Sequence, residues 1–207
     1  MIVDKPGSPQ TQLRVATIGA PRSTPDFRPL QVMNLVLGGS FSSRINMNLR
    51  EAHGYTYGAN SQFIFRRGAG PFTVASGVRT DVTAPAVNEI FKEIRAMIDA
   101  PVAPEELKRA KDALTNSLAS AFETGANAVN NLSNVFIYDL GLDYYSRYAA
   151  QVDAVTSDQA LAVARKYLRP ANMVVIAVGD RAAIEAELRK LNLGTVEIRD
   201  AEGKPVS

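Results

Sequence analysis

Cysteine and tryptophan are absent from this 207-residue chain, and histidine occurs once, at His53. Without cysteine there is no disulfide scaffold, no thiolate zinc or iron–sulfur site and no cysteine nucleophile. A single imidazole excludes zinc sites built on two histidines. Long apolar runs are missing as well. The longest, Met173 to Val178, falls far short of the roughly 18–20 residues that a membrane-spanning helix needs. Met1 to Gln10 has no apolar signal core and reads as a lead-in from a linker, which makes the chain a candidate piece of a longer protein.

Charge of one sign is scarce too: 23 basic against 21 acidic side chains leave a net charge of +2. Residues 1–70 hold eight Lys/Arg against three Asp/Glu. That surplus is too small for a nucleic-acid footprint, which needs a strongly basic, clustered surface. It suits a surface that faces an acidic partner or steers an acidic peptide, or ordinary scatter on a solvated surface.

With 46% hydrophobic residues the chain can bury a sizeable core. Leu13–Ile18 alternates like a short strand. Asp26 is placed to cap a helix bearing Leu30, Met33 and Leu37, which Gly38-Gly39 ends. Ser42 or Ser43 opens a second helix with an Ile45/Leu49/Ala52 stripe that stops at Gly54. Tyr55–Arg66 and Phe72–Val78, joined across residues 67–71, predict an antiparallel hairpin. A long helix follows with Val87, Ile90, Phe91, Ile94 and Ile98 on one face. Another starts after Pro101 and Pro104, with Glu105 and Glu106 in its first turn, and a third spans Asn127–Leu140. Thr156 and Gln159 have capping-box spacing. Met173–Val178 is an apolar strand, Gly179-Asp180 opens a helix to about Leu191, and Thr195–Ile198 is a last strand. The expectation is a single α+β domain over 1–207, a mostly antiparallel sheet of about five strands packed against a layer of helices. Residues 1–10 are its linker-like lead-in and 200–207 a flexible tail.

Most catalytic patterns are missing. No G-x-S-x-G elbow occurs. Gly38-Gly39-Ser40 follows a predicted helix rather than a strand and lacks a phosphate-binding lysine. His53, before the helix-ending Gly54, reads as a polar residue on helix carbonyls, and Glu105-Glu106 as solvated charge. One segment stands out, Leu37 to Tyr57. Arg50 lies off the apolar stripe, and Tyr57 lies just past the Gly54 turn. A helix-end arginine and a tyrosine on the next strand can converge on one point, where a fork of charged donors and a phenol grip a carbonyl or steady an oxyanion. The same pattern allows Tyr57, alternating with Tyr55, Ala59, Phe63 and Phe65, to be a core tyrosine, and Arg50 to pair with a carboxylate. The sequence leaves both open.

This segment resembles the insulinase/pitrilysin-type zinc metallopeptidases, metallopeptidase family sixteen, which include the mitochondrial processing peptidases. Gly38-Gly39-Ser40 matches their glycine-containing loop, Ser43-Arg44-Ile45 their Ser-Arg-Leu element, and Leu49-Arg50-Glu51 the start of Leu-Arg-Glu-x-x-Gly-x-x-Tyr. Tyr57 stands seven residues after the arginine, and the family's spacing favours it over Tyr55. Asp4 to Gln10 is similar to the family's lead-in to its C-terminal half, and Val178-Gly179-Asp180 to its closing strand–helix unit.

The resemblance implies a half-domain of the processing-peptidase type. Such peptidases close two similar halves around a peptide. One half carries His-x-x-Glu-His and a zinc ion, whose glutamate activates water. This chain cannot supply that motif, so it resembles the zinc-free half. The implied arrangement has no metal and no cofactor in this chain, and zinc in a partner half, whether in the same polypeptide or a separate subunit. Arg50 and Tyr57 would hold substrate backbone near the scissile bond and stabilise the tetrahedral intermediate. Gly38 and Gly39 would admit or position the peptide. Nucleic acid and a membrane span are not implied, and the habit of bacterial relatives with Gly-Tyr-Thr-Tyr favours the periplasm over the cytoplasm. Peptide hydrolysis by the assembled pair competes with a non-enzymatic scaffold that keeps the fold.

Overall fold

Gln10–Ile18 (β2) carries the alternation that organises the molecule: Thr11, Leu13 and Val15 are buried while Gln12 and Arg14 are exposed. A computed structural model describes residues 1–206 and places β2 at the centre of a six-stranded sheet. Its neighbours are Thr56–Phe63 (β3), Pro71–Arg79 (β4), Val174–Gly179 (β5), Ile2–Asp4 (β1) and Ile198–Arg199 (β6), in the order β3-β4-β2-β5-β1-β6. The β2–β4 ladder is antiparallel and unbroken from Gln10↔Arg79 to Ile18↔Pro71. β1 runs parallel to both β5 and β6.

The sheet therefore has one strand more than the sequence predicts. The linker-like lead-in is corrected: Ile2, 2% exposed, inserts between Ala177 and Ile198, and the Met1 ammonium donates to the Val175 carbonyl. Three residues are too few for alternation to register, so the segment was silent in the sequence. β2 also starts three residues before the predicted Leu13. Its first core-facing residue is polar, and Thr83 Oγ1 donates to the fully buried Thr11 hydroxyl at 2.8 Å. Of the predicted flexible tail, residues 200–206 turn back on β6, where Val206 N–H donates to the Ile198 carbonyl, and residue 207 lies outside the described residues.

Helices cover one face of the sheet. Phe27–Asn34 (α1), Arg44–Asn46 (α2), Thr83–Asp99 (α3), Pro104–Ser120 (α4), Gly125–Ile137 (α5), Tyr148–Asp153 (α6), Ser157–Tyr167 (α7) and Arg181–Lys190 (α8) follow in chain order. α3 is the central one and buries Val87, Ile90, Phe91, Ile94 and Met97. The expected capping box at Thr156/Gln159 and the Asp180 cap both form. The Asp26 cap does not: its carboxylate instead accepts from Lys166 at 2.6 Å and Tyr167 at 2.8 Å, tying α1 to α7. These two donors, Lys166 first, hold the Asp26 carboxyl below its ordinary pKa.

The other face of the sheet stays open. Along β2, β3 and β4 it presents Arg14, Asn60, Gln62 and Ala75, the polar-out pattern of an antiparallel sheet with one solvated side. Among the described residues no helix is long and apolar enough to cross a membrane.

Candidate functional site

α1 does not end at Asn34. It widens into a π-helical turn, Leu35–Gly39, and α2 after one turn does the same over Met47–Ala52. Such π segments shift the helical face and recur at functional sites. The second one explains why Ala52 leaves the predicted stripe: Ile45 and Leu49 are fully buried, but Ala52 points to solvent. It also carries Arg50. Gly54, at φ +62°, then takes the left-handed conformation that ends the helix and turns the chain into β3.

β3 is an edge strand, and its pairing with β4 is irregular. Thr56 faces Val78 and Ala59 faces Ser76, so Tyr57 and Gly58 together oppose the single residue Gly77. This extra residue is a β-bulge, which re-aims side chains beside it. Thr56 fastens it, its hydroxyl donating to the Gly77 carbonyl at 2.7 Å and accepting from Gly58 N–H at 3.0 Å. Without the bulge Tyr57 would share the core face with Ala59 and Ser61, as strict alternation predicts. With it, Tyr57 lies on the open face and is 90% exposed. Tyr57 is not a core tyrosine. Tyr55 is the more covered of the pair, stacked on His53 with ring centroids 4.8 Å apart.

Arg50, Tyr57, Gly38 and Gly39 all line one open cavity of about 520 Å³. No carboxylate lines it, and Arg14 adds a second cation from the floor of the sheet. The Arg50 guanidinium sits over the Phe41 ring, 4.6 Å from its centroid, and among the described residues touches a carboxylate only at Glu51, 3.4 Å away. Both members of that ion pair are more than a third exposed, where such contacts contribute little. Among the described residues neither the Arg50 N–H groups nor the Tyr57 hydroxyl makes a hydrogen bond within the protein, so both present unused donors to the cavity.

Two asparagines that the sequence did not flag hold this wall together. Asn46, 4% exposed, donates to the Phe41 carbonyl at 2.6 Å and accepts from Ala59 N–H at 3.0 Å. Asn34 donates to the Ser61 carbonyl at 3.0 Å and accepts from the Ser61 hydroxyl. Together they occupy outward backbone groups of the edge strand, so β3 is sealed there rather than left open to another strand. Asparagines in mid-helix gave no sequence signal; only the paired backbone groups across the gap reveal their role.

Two sequence expectations are corrected here. Glu106 is not a solvated charge, for it grips Arg44 of the Ser-Arg-Ile element through two bonds, at 2.8 and 2.6 Å. His53 stacks on Tyr55 and lies 3.7 Å from Glu89 instead of binding helix carbonyls. The Arg44 hydrogen bond, the largest effect, holds the Glu106 carboxyl below its ordinary pKa. A depressed carboxylate pKa contributes stability that is present above the unfolded value and lost as pH falls through the folded one. Glu106→Gln should therefore cost about 1–3 kcal/mol at neutral pH. In thermal melts the gap between wild type and variant should close as pH falls below about 4.

Metal chemistry finds no donors here. With one histidine and no cysteine in the sequence, the described residues contain no group of three or more His, Asp or Glu side chains that could hold an ion. The residues present do not fit a zinc ion.

Residues 1–114 match the family described as the Peptidase M16 inactive domain. No curated protein matches the sequence. Among solved structures, the peptidase M16 inactive domain from Pseudomonas fluorescens is 28% identical, with a TM-score of 0.81 over 88% of this chain and 44% of that one. A protease from Helicobacter pylori superposes with a TM-score of 0.78 at 16% identity, over 86% and 43%. The periplasmic protease PqqL from Escherichia coli does so with 0.71 at 14%, over 87% and 20%. The last two likenesses concern the fold alone. This chain spans less than half the length of each of these proteins. On the match over more than half its residues and on its fold, the chain belongs to the peptidase M16 inactive-domain family, the non-catalytic, zinc-free half of zinc-protease-like proteins.

Proposed function

We propose that this chain is the substrate-binding wall of a clamshell peptidase and acts together with a zinc-bearing half. The observation that carries this is the bulge at Tyr57-Gly58, which puts the phenol on the same open, acid-free cavity as Arg50. A peptide carbonyl entering that cavity accepts from the Arg50 guanidinium and the Tyr57 hydroxyl. As the carbonyl oxygen becomes an oxyanion its charge grows, and donors already aimed at it strengthen without reorganising. The zinc of the partner half supplies the activated water; this chain supplies position and charge. Phe41 holds the guanidinium over its ring face, and Gly38 and Gly39 form the rim past which the peptide enters.

The test is reconstitution. The purified chain alone should hydrolyse no peptide and retain no zinc. Mixed with the zinc-bearing half, whether that resides in the same polypeptide or a separate subunit, it should restore peptide hydrolysis. Hydrolysis by the zinc-bearing half that is unchanged by adding this chain would refute the proposal.

A further inference from the structure

Away from the open sheet face, a cavity of about 450 Å³ lies between α1, the end of α4, α5 and the segment leading into α6. Four of the chain's seven tyrosines line it: Tyr138, Tyr144, Tyr145 and Tyr148. Phe27, Phe65, Leu118 and Leu140 add apolar wall. The cation in this wall is Arg22. Its guanidinium lies 3.5 Å from the Phe27 centroid and donates to the Tyr144 hydroxyl at 2.9 Å. Behind it sits Arg28, only 8% exposed, which shares the Tyr144 and Phe27 rings with Arg22 and also packs 4.2 Å from the Tyr148 centroid.

What is missing is a counter-charge. No Asp or Glu lines the cavity, and among the described residues neither arginine lies within 4.0 Å of a carboxylate. Arg28 binds only neutral amides, Gln151 at 3.1 Å and Gln31 at 2.9 Å, and its Nη2 is buried with no partner. Burial, with the positive charge of Arg28 as a lesser cause, pulls the Arg22 pKa below its ordinary value. Burial pushes the Tyr145 and Tyr148 phenols up, further from ionisation, so these two supply no counter-charge. One buried and one half-buried guanidinium without an anion are costly, and cation–π contacts of about 0.5–2 kcal/mol each offset only part of that cost. The volume suits a small organic ligand, and Gln31, Asn131 and Asn134 place amide groups on the wall to orient one.

We propose that this cavity binds a carboxylate carried on an apolar or aromatic body, with the Arg22 guanidinium as its direct ligand and Arg28 reinforcing the field from behind. Both a peptide's free C-terminus and a small aromatic acid present that chemistry. Because the chain has no tryptophan, tyrosine fluorescence reports mainly on this cavity. Two acid–amide pairs should be titrated: the tripeptide Ala-Ala-Phe beside its C-terminal amide, and benzoate beside benzamide. At least one of the two acids should give a saturable fluorescence change and raise the melting temperature. The matching amide should bind the wild-type chain at least about tenfold more weakly than its acid. Tighter binding of the tripeptide identifies a peptide end as the ligand, and tighter binding of benzoate a small acid. Arg22→Gln should weaken either acid at least about tenfold. Absence of saturation by both acids up to about 10 mM, equal binding of acid and amide, or undiminished binding by a folded Arg22→Gln chain would each overturn the proposal. Should that variant not fold, the acid–amide comparison on the wild-type chain decides alone.

Discussion

Arg50→Ala and Tyr57→Phe should each lower kcat of the reconstituted peptidase by roughly 100- to 1,000-fold, the loss that follows removal of one oxyanion donor. Neither change should move the melting temperature by more than about 2 °C, because exposed substitutions cost little. Tyr57 is 90% exposed and the Arg50 side chain 38% exposed, so their contribution to packing is small. KM should change far less than kcat if the two donors act mainly on the tetrahedral intermediate. The double variant should be little worse than the poorer single one if both groups hold the same oxygen, since groups acting as a unit are not additive. Unchanged kcat in both single variants would favour a scaffold that keeps the fold without using the site. Phe41→Ala is the milder companion. It removes the ring under the Arg50 guanidinium, 4.6 Å away, but no donor, and the loss should be about 2- to 5-fold.

The convergence of these residues was only half legible in the sequence. The Leu49-Arg50-Glu51 and Tyr57 pattern picked out residues that line one cavity, and the α+β class followed from the hairpin and the run of helices. What alternation could not supply was the side of the sheet on which Tyr57 lies. Counting by twos from Ala59 puts it in the core, and only the two-against-one pairing opposite Gly77 reverses that. Gly58 is the one local mark, since a glycine inside a strand often sits at a bulge, but the register is fastened by contacts across strands, the Thr56 hydroxyl donating to the Gly77 carbonyl and accepting from the Ser76 hydroxyl. The π turns were illegible for a similar reason. They let Gly38 reach Ser61 and Arg50 reach the cavity, contacts made with β3 rather than within the helix. β1 escaped because a three-residue parallel strand has stability only through its two neighbours. Arg22 and Arg28 escaped because nothing in a sequence shows that a buried guanidinium lacks a carboxylate.

Gly38→Ala should be the most destabilising single change at the site, and its outcome separates two roles for the glycine pair. In a helix interior, glycine to alanine ordinarily gains about 0.5–1 kcal/mol from backbone entropy. Here the added methyl would collide with the Ser61 hydroxyl and sit 2.6 Å from the Ser61 backbone nitrogen. Ser61 is 3% exposed and paired to Val74 in the sheet, so it cannot retreat. Forcing the π turn away from β3 would also pull Asn34 off the Ser61 carbonyl. The steric cost of about 1–3 kcal/mol, together with the strained asparagine bond, exceeds the entropic gain. A fall in melting temperature of roughly 4–10 °C is expected. Gly39→Ala meets the Asn34 amide nitrogen at 2.8 Å and the Asn34 carbonyl oxygen at 3.1 Å; moving that amide strains its bonds to Ser61, so the change should cost about 1–2 kcal/mol, still without the clash against β3 backbone that Gly38→Ala makes. If Gly38 served only to admit substrate, Gly38→Ala would lower kcat/KM at an unchanged melting temperature. If it serves first to let the helix lie against the edge strand, stability falls. Peptide hydrolysis then falls with it, because the segment that leaves β3 carries the rim of the cavity into which Arg50 and Tyr57 point their donors.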